Sequence, residues 1–337
     1  MRWIKAALLA LVVAAGGAIA GWLYWQQQLD APIALSASEV YEVRPGMGAS
    51  QIIAELEARG IIAAQWPYQL LGVFEPQRLR GLRAGEFRLE PGMNAAQLLA
   101  KLSSNDVVTY RLTVPEGRTF ADMRRLLGDA EALDHETRDM SDAELMTALG
   151  HEGELPEGRF FPDTYVWRRG VSDMEIFQRA YDRMASVLRE VWQSRDDDLP
   201  IDTPYEALIL ASLIEKETGV AAERSRIAGV FKRRLERGMR LQTDPTVIYG
   251  LGEDYDGSLS RADLERRTDW NTYVISGLPP TPIALPGRAA LEAAVHPAAG
   301  SALYFVARGN GEHQFSDTLA EHNAAVRRYI LGEGESP

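Results

Sequence analysis

The sequence predicts an α+β protein with a single N-terminal transmembrane helix, a small repeated module and a larger mixed domain. Three observations predict this fold class: an uncharged apolar run near the N-terminus, a strand-turn-helix phrase that recurs in the first third of the chain, and helical patterns alternating with Pro-, Gly- and aromatic-rich loops after it. The 337 residues, 46% of them hydrophobic, suffice for about two domains with cores of their own.

The apolar run predicts a membrane span. Ala6–Trp25 holds 20 residues without a charge, and as a helix it would match the roughly 30 Å hydrocarbon core of a bilayer. Arg2 and Lys5 precede it, so residues 1–5 are expected in the cytoplasm and the bulk of the chain on the other side of the membrane. A cleaved signal peptide is the alternative, because Ala18-Ile19-Ala20 resembles a small-residue cleavage site. Both interpretations send the rest of the chain across the membrane.

A repeated phrase follows a short linker over residues 26–39. Pro45-Gly46-Met47 and Pro91-Gly92-Met93 each lie between a strand-like segment and an apolar run with helical spacing, and Pro115-Glu116-Gly117 begins a looser third copy. Because one such unit cannot bury its apolar face alone, the first two are expected to pack as a compact α+β module over 40–106. The spacing alone favours a structural repeat that binds no ligand.

The larger domain is predicted over residues 107–331, with a frayed tail over 332–337. Its helices alternate with loops rich in Pro, Gly and aromatic residues, a pattern typical of an α+β domain whose function lies in its loops. Four loops stand out, at 155–165, 241–250, 271–283 and 315–323.

Composition and missing motifs exclude several kinds of chemistry. A net charge of −12 with only four lysines argues against a nucleic-acid partner, and the lack of cysteine excludes disulfides and thiolate chemistry. The sequence contains no G-x-S-x-G elbow, no HExxH pair and no phosphate-binding glycine loop. We therefore expect neither a metal nor another cofactor, and carboxylate chemistry is what remains.

One predicted helix offers such a carboxylate. Thr203, Pro204 and Glu206 form the pattern of an N-cap with a capping box, the following residues are apolar nearly all round, and Gly219 is expected to close the helix. Near the C-terminal end, Glu215 extends an otherwise buried stripe. Burial and the negative end of the helix dipole should both raise its pKa toward neutrality, as a general acid requires. A solvated last turn without chemistry is the alternative that the residues leave open.

Two neighbours share that last turn. Lys216 is the kind of cation that the dipole favours at a helix C-terminus. Glu217 points about 200° away from Glu215 around the helix, so the two carboxylates are not expected to act as a juxtaposed pair. Glu217 is expected to support a neighbouring group.

Two long phrases make the sequence recognisable, at residues 211–219 (ASLIEKETG) and 240–250 (RLQTDPTVIYG). With them the chain resembles the endolytic murein transglycosylase, or YceG-like, family. The resemblance extends to the N-terminal span, the FPDTY loop at 161–165, the segment 271–287 and the terminal His322-Asn323, all in the same order.

The resemblance implies cleavage of the β-1,4 bond between N-acetylmuramic acid and N-acetylglucosamine inside nascent peptidoglycan strands. One glutamate, assigned to Glu215, would protonate the glycosidic oxygen and then take the proton of the muramic acid 6-hydroxyl as it closes a 1,6-anhydro ring. Because the nucleophile belongs to the substrate, one carboxyl group suffices, whereas ordinary glycosidases need two.

The resemblance also implies a binding cleft, a glycan-holding module and partners. Residues 40–106 would be a LysM-like module, although the insertion at 66–74 departs from that pattern. Termination of glycan elongation beside penicillin-binding synthases, on the periplasmic side of the inner membrane, is the implied role. The expected substrate-binding residues, each equally suited to a turn or cap, are Glu157, Tyr165, Glu217, Gln242, Thr243, Asp244, Thr246, Asn271, Tyr273 and Asn323.

Two other functions remain open on the residues alone. A membrane-tethered scaffold would bind peptidoglycan and recruit synthases without cleaving it. A true hydrolase with the same fold would leave reducing ends, which are heavier than anhydro ends by one water.

Overall fold

The computed structural model describes residues 2–332 of the chain, so the predicted tail lies outside them apart from Gly332. The chain forms two compact units. The first comprises residues up to Tyr110 together with Trp167–Gly170, and the second comprises Arg111–Val166 and the residues from Val171 on. The predicted boundary between residues 106 and 107 lies close to this division.

The first unit combines one long helix with a small α+β module. Its elements in chain order are α1 (Arg2–Asp30), β1 (Glu39–Val43), α2 (Ala49–Ala58), α3 (Trp66–Phe74), β2 (Gly85–Leu89) and α4 (Ala95–Ser103). β1 and β2 pair antiparallel, with Tyr41 opposite Phe87. These two rings are fully buried together with apolar side chains of α2 and α4. Each of the first two repeated phrases thus forms a strand, a turn and a helix, as the spacing predicts.

α1 is long and apolar enough to cross a membrane, by length and composition. The helix continues beyond the predicted span to Asp30, so part of the predicted linker is helical. The reason is tertiary: Trp25 and Leu29 are buried in the core of the module, as is Ile33 beyond the helix end. The apolar surface from Trp3 to Tyr24 is exposed.

The second unit is mainly helical. Its elements are β3 (Tyr110–Thr113, which begins in the first unit), α5 (Phe120–Gly128), β4 (Leu133–Asp134), α6 (Asp142–Ala148), β5 (Thr164–Trp167), β6 (Val171–Ser172), α7 (Asp173–Gln193), α8 (Pro204–Glu217), α9 (Arg224–Glu236), α10 (Asp244–Leu251), α11 (Arg261–Glu265), α12 (Arg288–Val295), β7 (Tyr304–Ala307), β8 (His313–Ser316) and α13 (Leu319–Tyr329). β3 pairs with β5, β4 pairs with β6 in parallel, and β7 pairs with β8 in an antiparallel hairpin.

α8 is the central helix of the second unit, packed by α7, α9, α10 and α12. Its start follows the predicted capping box: the Thr203 hydroxyl accepts a bond from the Glu206 amide at 3.2 Å, and the Glu206 carboxylate accepts one from the Thr203 amide at 2.9 Å. Every residue from Ala207 to Ile214 is buried. The helix thereby fixes its last turn against a rigid core.

The end of α8 differs from the prediction. The last helical residue is Glu217, and the C-cap is Thr218 and not Gly219, because the backbone of Thr218 turns to an extended conformation with φ −147°. Its hydroxyl accepts a bond from the Val220 amide at 3.0 Å, so the turn needs no left-handed glycine.

Candidate active site

The first carboxylate at the end of α8, Glu215, is held by two groups of the second unit. Its Oε2 accepts a hydrogen bond from the Gly287 amide at 3.0 Å, and its Oε1 lies 3.6 Å from an Arg224 guanidinium nitrogen. The side chain is 6% exposed. Burial raises the pKa of Glu215. The Gly287 hydrogen bond and the charge of Arg224 favour the anion and so lower this pKa, but burial has the larger effect. The carboxylate of Glu116 raises this pKa further.

Lys216 connects the helix end to the third copy of the repeated phrase. Its Nζ donates to the Gly117 carbonyl at 3.2 Å, and the Gly117 amide in turn donates to the Leu285 carbonyl at 2.9 Å. The side chain is exposed. This lysine therefore positions a loop at the end of α8.

The second carboxylate, Glu217, faces different surroundings. It accepts a hydrogen bond from the Thr243 hydroxyl and lines a cavity of about 610 Å³. Burial raises the pKa of Glu217 to about 7, and the negative charge of Asp244 contributes to this rise. The Thr243 hydrogen bond and the positive charges of His313 and Arg234 act in the opposite direction. Glu217 is thus a weaker acid than an exposed glutamate.

The cavity combines polar and aromatic side chains from distant parts of the chain. Five of the residues predicted from the sequence line it, namely Glu217, Gln242, Asp244, Tyr273 and Asn323. The rest of the lining comes from α9, the β7–β8 hairpin, α13, Leu241 and Ile330. Hydrogen-bonding groups next to aromatic rings suit a ligand that has both hydroxyl groups and apolar faces, as a sugar has.

The loop before α10 brings several of these groups together. Gln242 has a left-handed backbone with φ 54°, which is uncommon for a residue other than glycine and is found at functional sites. Its amide donates to the Thr272 carbonyl at 3.2 Å, and its side-chain oxygen accepts from Arg234 at 3.3 Å. Tyr273 donates its phenolic hydrogen to Asp244 Oδ1 at 2.6 Å, and burial raises the pKa of this tyrosine.

Two predicted residues, Thr246 and Asn271, lie behind this loop and hold it. Thr246 donates to the Thr243 carbonyl at 2.7 Å, and its hydroxyl lies 2.8 Å from that of Thr272. Asn271 is fully buried, and its oxygen accepts from the Tyr273 amide at 2.9 Å. Its NH₂ group donates to three backbone carbonyls, those of Asp263, Leu264 and Arg266. These contacts fit a scaffolding role, which the sequence left open beside substrate binding.

The structure does not bring Glu157 or Tyr165 into the cavity lining. Glu157 accepts bonds from the Phe120 amide at 3.0 Å and the Tyr249 hydroxyl at 3.1 Å, so it joins the start of α5 to α10. Burial raises the pKa of Glu157 to about 7. Tyr165 is buried and donates to the Phe161 carbonyl.

Arg234 is a buried cation of the cavity that the sequence did not predict. Its guanidinium donates to the carbonyls of Leu303 at 2.7 Å and Leu241 at 2.8 Å, so it joins α9 to two loops and leaves a positive charge near Glu217. In the sequence it is one member of a basic run and carries no distinguishing signal. Within residues 2–332, no group of three or more His, Asp or Glu side chains is arranged to hold a metal ion.

A sequence model of the YceG-like family matches residues 41–328, and the chain therefore belongs to this family. The resemblance stated from the two phrases is confirmed. The endolytic murein transglycosylase of Bacillus subtilis (strain 168) is 40% identical over 179 residues, which are 53% of this chain and 49% of the relative. That of Streptococcus pneumoniae (strain ATCC BAA-255 / R6) is 29% identical over 182 residues, 52% of this chain and 32% of the relative. The matches thus span half or less of each curated relative.

A solved structure supports the fold. The crystal structure of a yceG-like protein from Listeria monocytogenes superposes with a TM-score of 0.54 at 28% sequence identity. The superposition covers 86% of this chain and 99% of that one.

Proposed function

We propose that this chain is a membrane-anchored endolytic lytic transglycosylase of peptidoglycan. Its reaction would cleave the β-1,4 bond between N-acetylmuramic acid and N-acetylglucosamine in nascent strands and leave 1,6-anhydro ends. Membership of the YceG-like family and the activity for which the relatives are named support the substrate class. The observation that carries the proposal is a half-buried glutamate, Glu217, which lines a cavity of polar and aromatic side chains and whose pKa is raised to about 7.

The proposed chemistry needs one carboxyl group in two protonation states. Protonated Glu217 donates its proton to the glycosidic oxygen, the bond from that oxygen to the anomeric carbon breaks, and the oxygen leaves as the 4-hydroxyl of N-acetylglucosamine. The resulting carboxylate then takes the proton of the muramic acid 6-hydroxyl while that oxygen bonds to the anomeric carbon. Glu217 ends protonated, as it began, and no water is consumed. A pKa near the working pH suits a group that must give and regain a proton.

The surroundings of the two glutamates favour Glu217 over Glu215 for this role. Glu217 lines the cavity, whereas Glu215 accepts a bond from Gly287 and lies beside the cation of Arg224. Because both carboxylate oxygens of Glu215 contact groups of the fold, this residue suits an electrostatic or structural role at the helix end. The assignment of the acid to Glu215 stays a prediction that the same experiment tests.

The other polar residues divide into two proposed groups. Gln242, Asp244, Tyr273 and Asn323 would bond the hydroxyl and N-acetyl groups of the glycan, because they line the cavity. Thr243 would set the pKa of the acid. The other expected binding residues would position the loops, as their buried backbone contacts favour, namely Glu157, Tyr165, Thr246 and Asn271.

The proposed location follows from α1, which would anchor the chain in the inner membrane with residues 1–5 in the cytoplasm. The α+β module of the first unit and the whole second unit would then work on the periplasmic side. The module formed by the repeated phrases would be LysM-like and hold the glycan strand. The enzyme would end glycan polymerisation beside penicillin-binding synthases.

The test compares Glu217→Gln with Glu215→Gln in the full chain, both nearly isosteric. Each variant is incubated with uncrosslinked polymeric glycan, and the products are weighed by mass spectrometry. We expect Glu217→Gln to abolish the anhydro-ended products and Glu215→Gln to retain them at a reduced rate. The reverse pattern would assign the acid to Glu215. Reducing ends from the wild-type chain would indicate a hydrolase, and no cleavage at all would indicate a scaffold.

A further inference from the structure

α3 is an apolar helix with one face exposed. The segment Trp66–Phe74 contains no charged residue, and its buried side chains are Pro67, Tyr68 and Leu71. The opposite face carries Trp66, Leu70, Val73 and Phe74, which are 37%, 37%, 72% and 61% exposed. At 100° per residue these four positions share one side of the helix.

This exposed face is unusual within its unit. Apart from α1, the described residues of the first unit expose one other large apolar side chain, Val40. Four exposed apolar residues on one helix face therefore form a patch of the kind that marks a contact with another apolar phase.

The position of the patch indicates what that phase is. α3 packs against the last turn of the predicted span: Trp25 Nε1 donates to the Pro67 carbonyl at 2.8 Å, and the Trp22 and Phe74 rings lie 6.4 Å apart edge to face. The Tyr24 and Trp66 rings are stacked at 5.9 Å. α3 is thus fixed where α1 leaves the hydrocarbon core, and its exposed face continues the apolar surface of that helix.

We propose that α3 is a second membrane contact, a short helix lying in the outer interface of the bilayer with Trp66, Leu70, Val73 and Phe74 inserted among the lipids. Tryptophan and phenylalanine are the side chains that interfacial helices use for this purpose. Arg80, exposed shortly after the helix, is available to anionic headgroups. This inference rests on the proposed anchoring by α1.

A consequence of this second contact is orientation. A single span allows the domain outside to rotate and tilt freely, whereas two contacts joined by the Trp25–Pro67 hydrogen bond hold the β1–β2 module close to the lipid surface. The module would then lie next to glycan strands as they emerge at the membrane.

The test uses single-cysteine variants, for which the chain is suited because it contains no cysteine. Leu70→Cys and Val73→Cys in the full chain are labelled with an environment-sensitive fluorophore and reconstituted in phosphatidylethanolamine–phosphatidylglycerol vesicles with nitroxide-bearing lipids. Leu8→Cys reports the span itself, and Ser50→Cys, exposed at the start of α2, reports the aqueous side. We expect quenching at residues 70 and 73 to be several-fold greater than at 50 and comparable with that at 8. A further change, Val73→Glu, should reduce the quenching at residue 70.

The outcomes separate the inference from the anchor. Quenching at residue 8 without quenching at 70 and 73 would support α1 as a membrane anchor and would contradict the proposal that α3 lies in the bilayer interface. Shielding of residues 70 and 73 from both nitroxide lipid and aqueous iodide would assign the patch to a protein or glycan contact and would equally overturn the lipid proposal. Absence of quenching at residue 8 would remove the anchor and the inference together.

Discussion

Removal of the Thr243 hydroxyl by Thr243→Val should move the pH at which activity is lost. The hydroxyl donates a hydrogen bond to the Glu217 carboxylate and so stabilises the anion, which lowers a pKa that burial has raised to about 7. Without this bond the anion loses stabilisation and the pKa rises further. Valine has nearly the same shape as threonine, so the change leaves the packing around residue 243 in place.

The magnitude follows from the strength of such a bond. A hydrogen bond to a charged group contributes about 1.5–3 kcal/mol, and one pKa unit corresponds to about 1.4 kcal/mol. The pKa of Glu217 should therefore rise by about one to two units. Because the protonated form starts the proposed reaction, the variant should remain active to a correspondingly higher pH than the wild type.

The assay is the pH profile of kcat/KM for release of anhydro-ended fragments from polymeric glycan. Thr246→Val is the matched control, since this hydroxyl bonds the Thr243 carbonyl and belongs to the same buried network without contacting Glu217. The control should leave the alkaline limb in place. An unmoved or lowered limb in Thr243→Val would refute the assignment of that limb to Glu217.

Three further predictions concern charge and packing. Asp244→Asn removes a negative charge that raises the pKa of Glu217, so the alkaline limb should move to lower pH in the same assay. Glu217→Gln should stabilise the fold above about pH 7 by up to about 3 kcal/mol in urea unfolding and have little effect at pH 4. The reason is that the pKa of this carboxyl group is higher in the folded chain than in the unfolded chain, so the fold loses stability as the pH rises toward about 7. Gly229→Ala should lower the free energy of unfolding by about 1–3 kcal/mol, since its Cβ would lie 2.3 Å from the Ala298 carbonyl oxygen, whereas Gly219→Ala, with open space, should be neutral.

Local rules were enough to predict the elements that are determined by neighbours in sequence. The capping box at Thr203 and the apolar run after it specify α8, and the Pro-Gly-Met phrases specify strand-turn-helix units, because each depends on contacts within a few residues. The ends of α1 and α8 were less predictable. Burial of Leu29 extends the first helix, and the extended backbone of Thr218 ends the second, and both depend on packing or local geometry that no sequence pattern encodes.

The site also combines features that the sequence predicts with features that depend on the tertiary fold. Burial of Glu215 was predicted correctly from the stripe that it extends, yet α8 is buried on nearly all sides, so burial could not distinguish the two carboxylates. What distinguishes them is the cavity, and its walls come from Gln242, Arg234 and the β7–β8 hairpin, which are remote in sequence. The identity of the cavity-facing carboxylate is therefore a property of the tertiary fold.

The spacing of the two glutamates gives this arrangement a chemical meaning. Two residues apart on a helix, they project about 200° from each other, so one rigid helix end delivers two carboxylates into separate environments. Glu215 meets a backbone amide and the cation of Arg224, while Glu217 meets a hydroxyl and the cavity. A pair of carboxylates sharing one site would perturb each other, as in enzymes that need both an acid and a nucleophile. Their separation here suits a reaction in which one carboxyl group handles the proton and the substrate supplies the nucleophile.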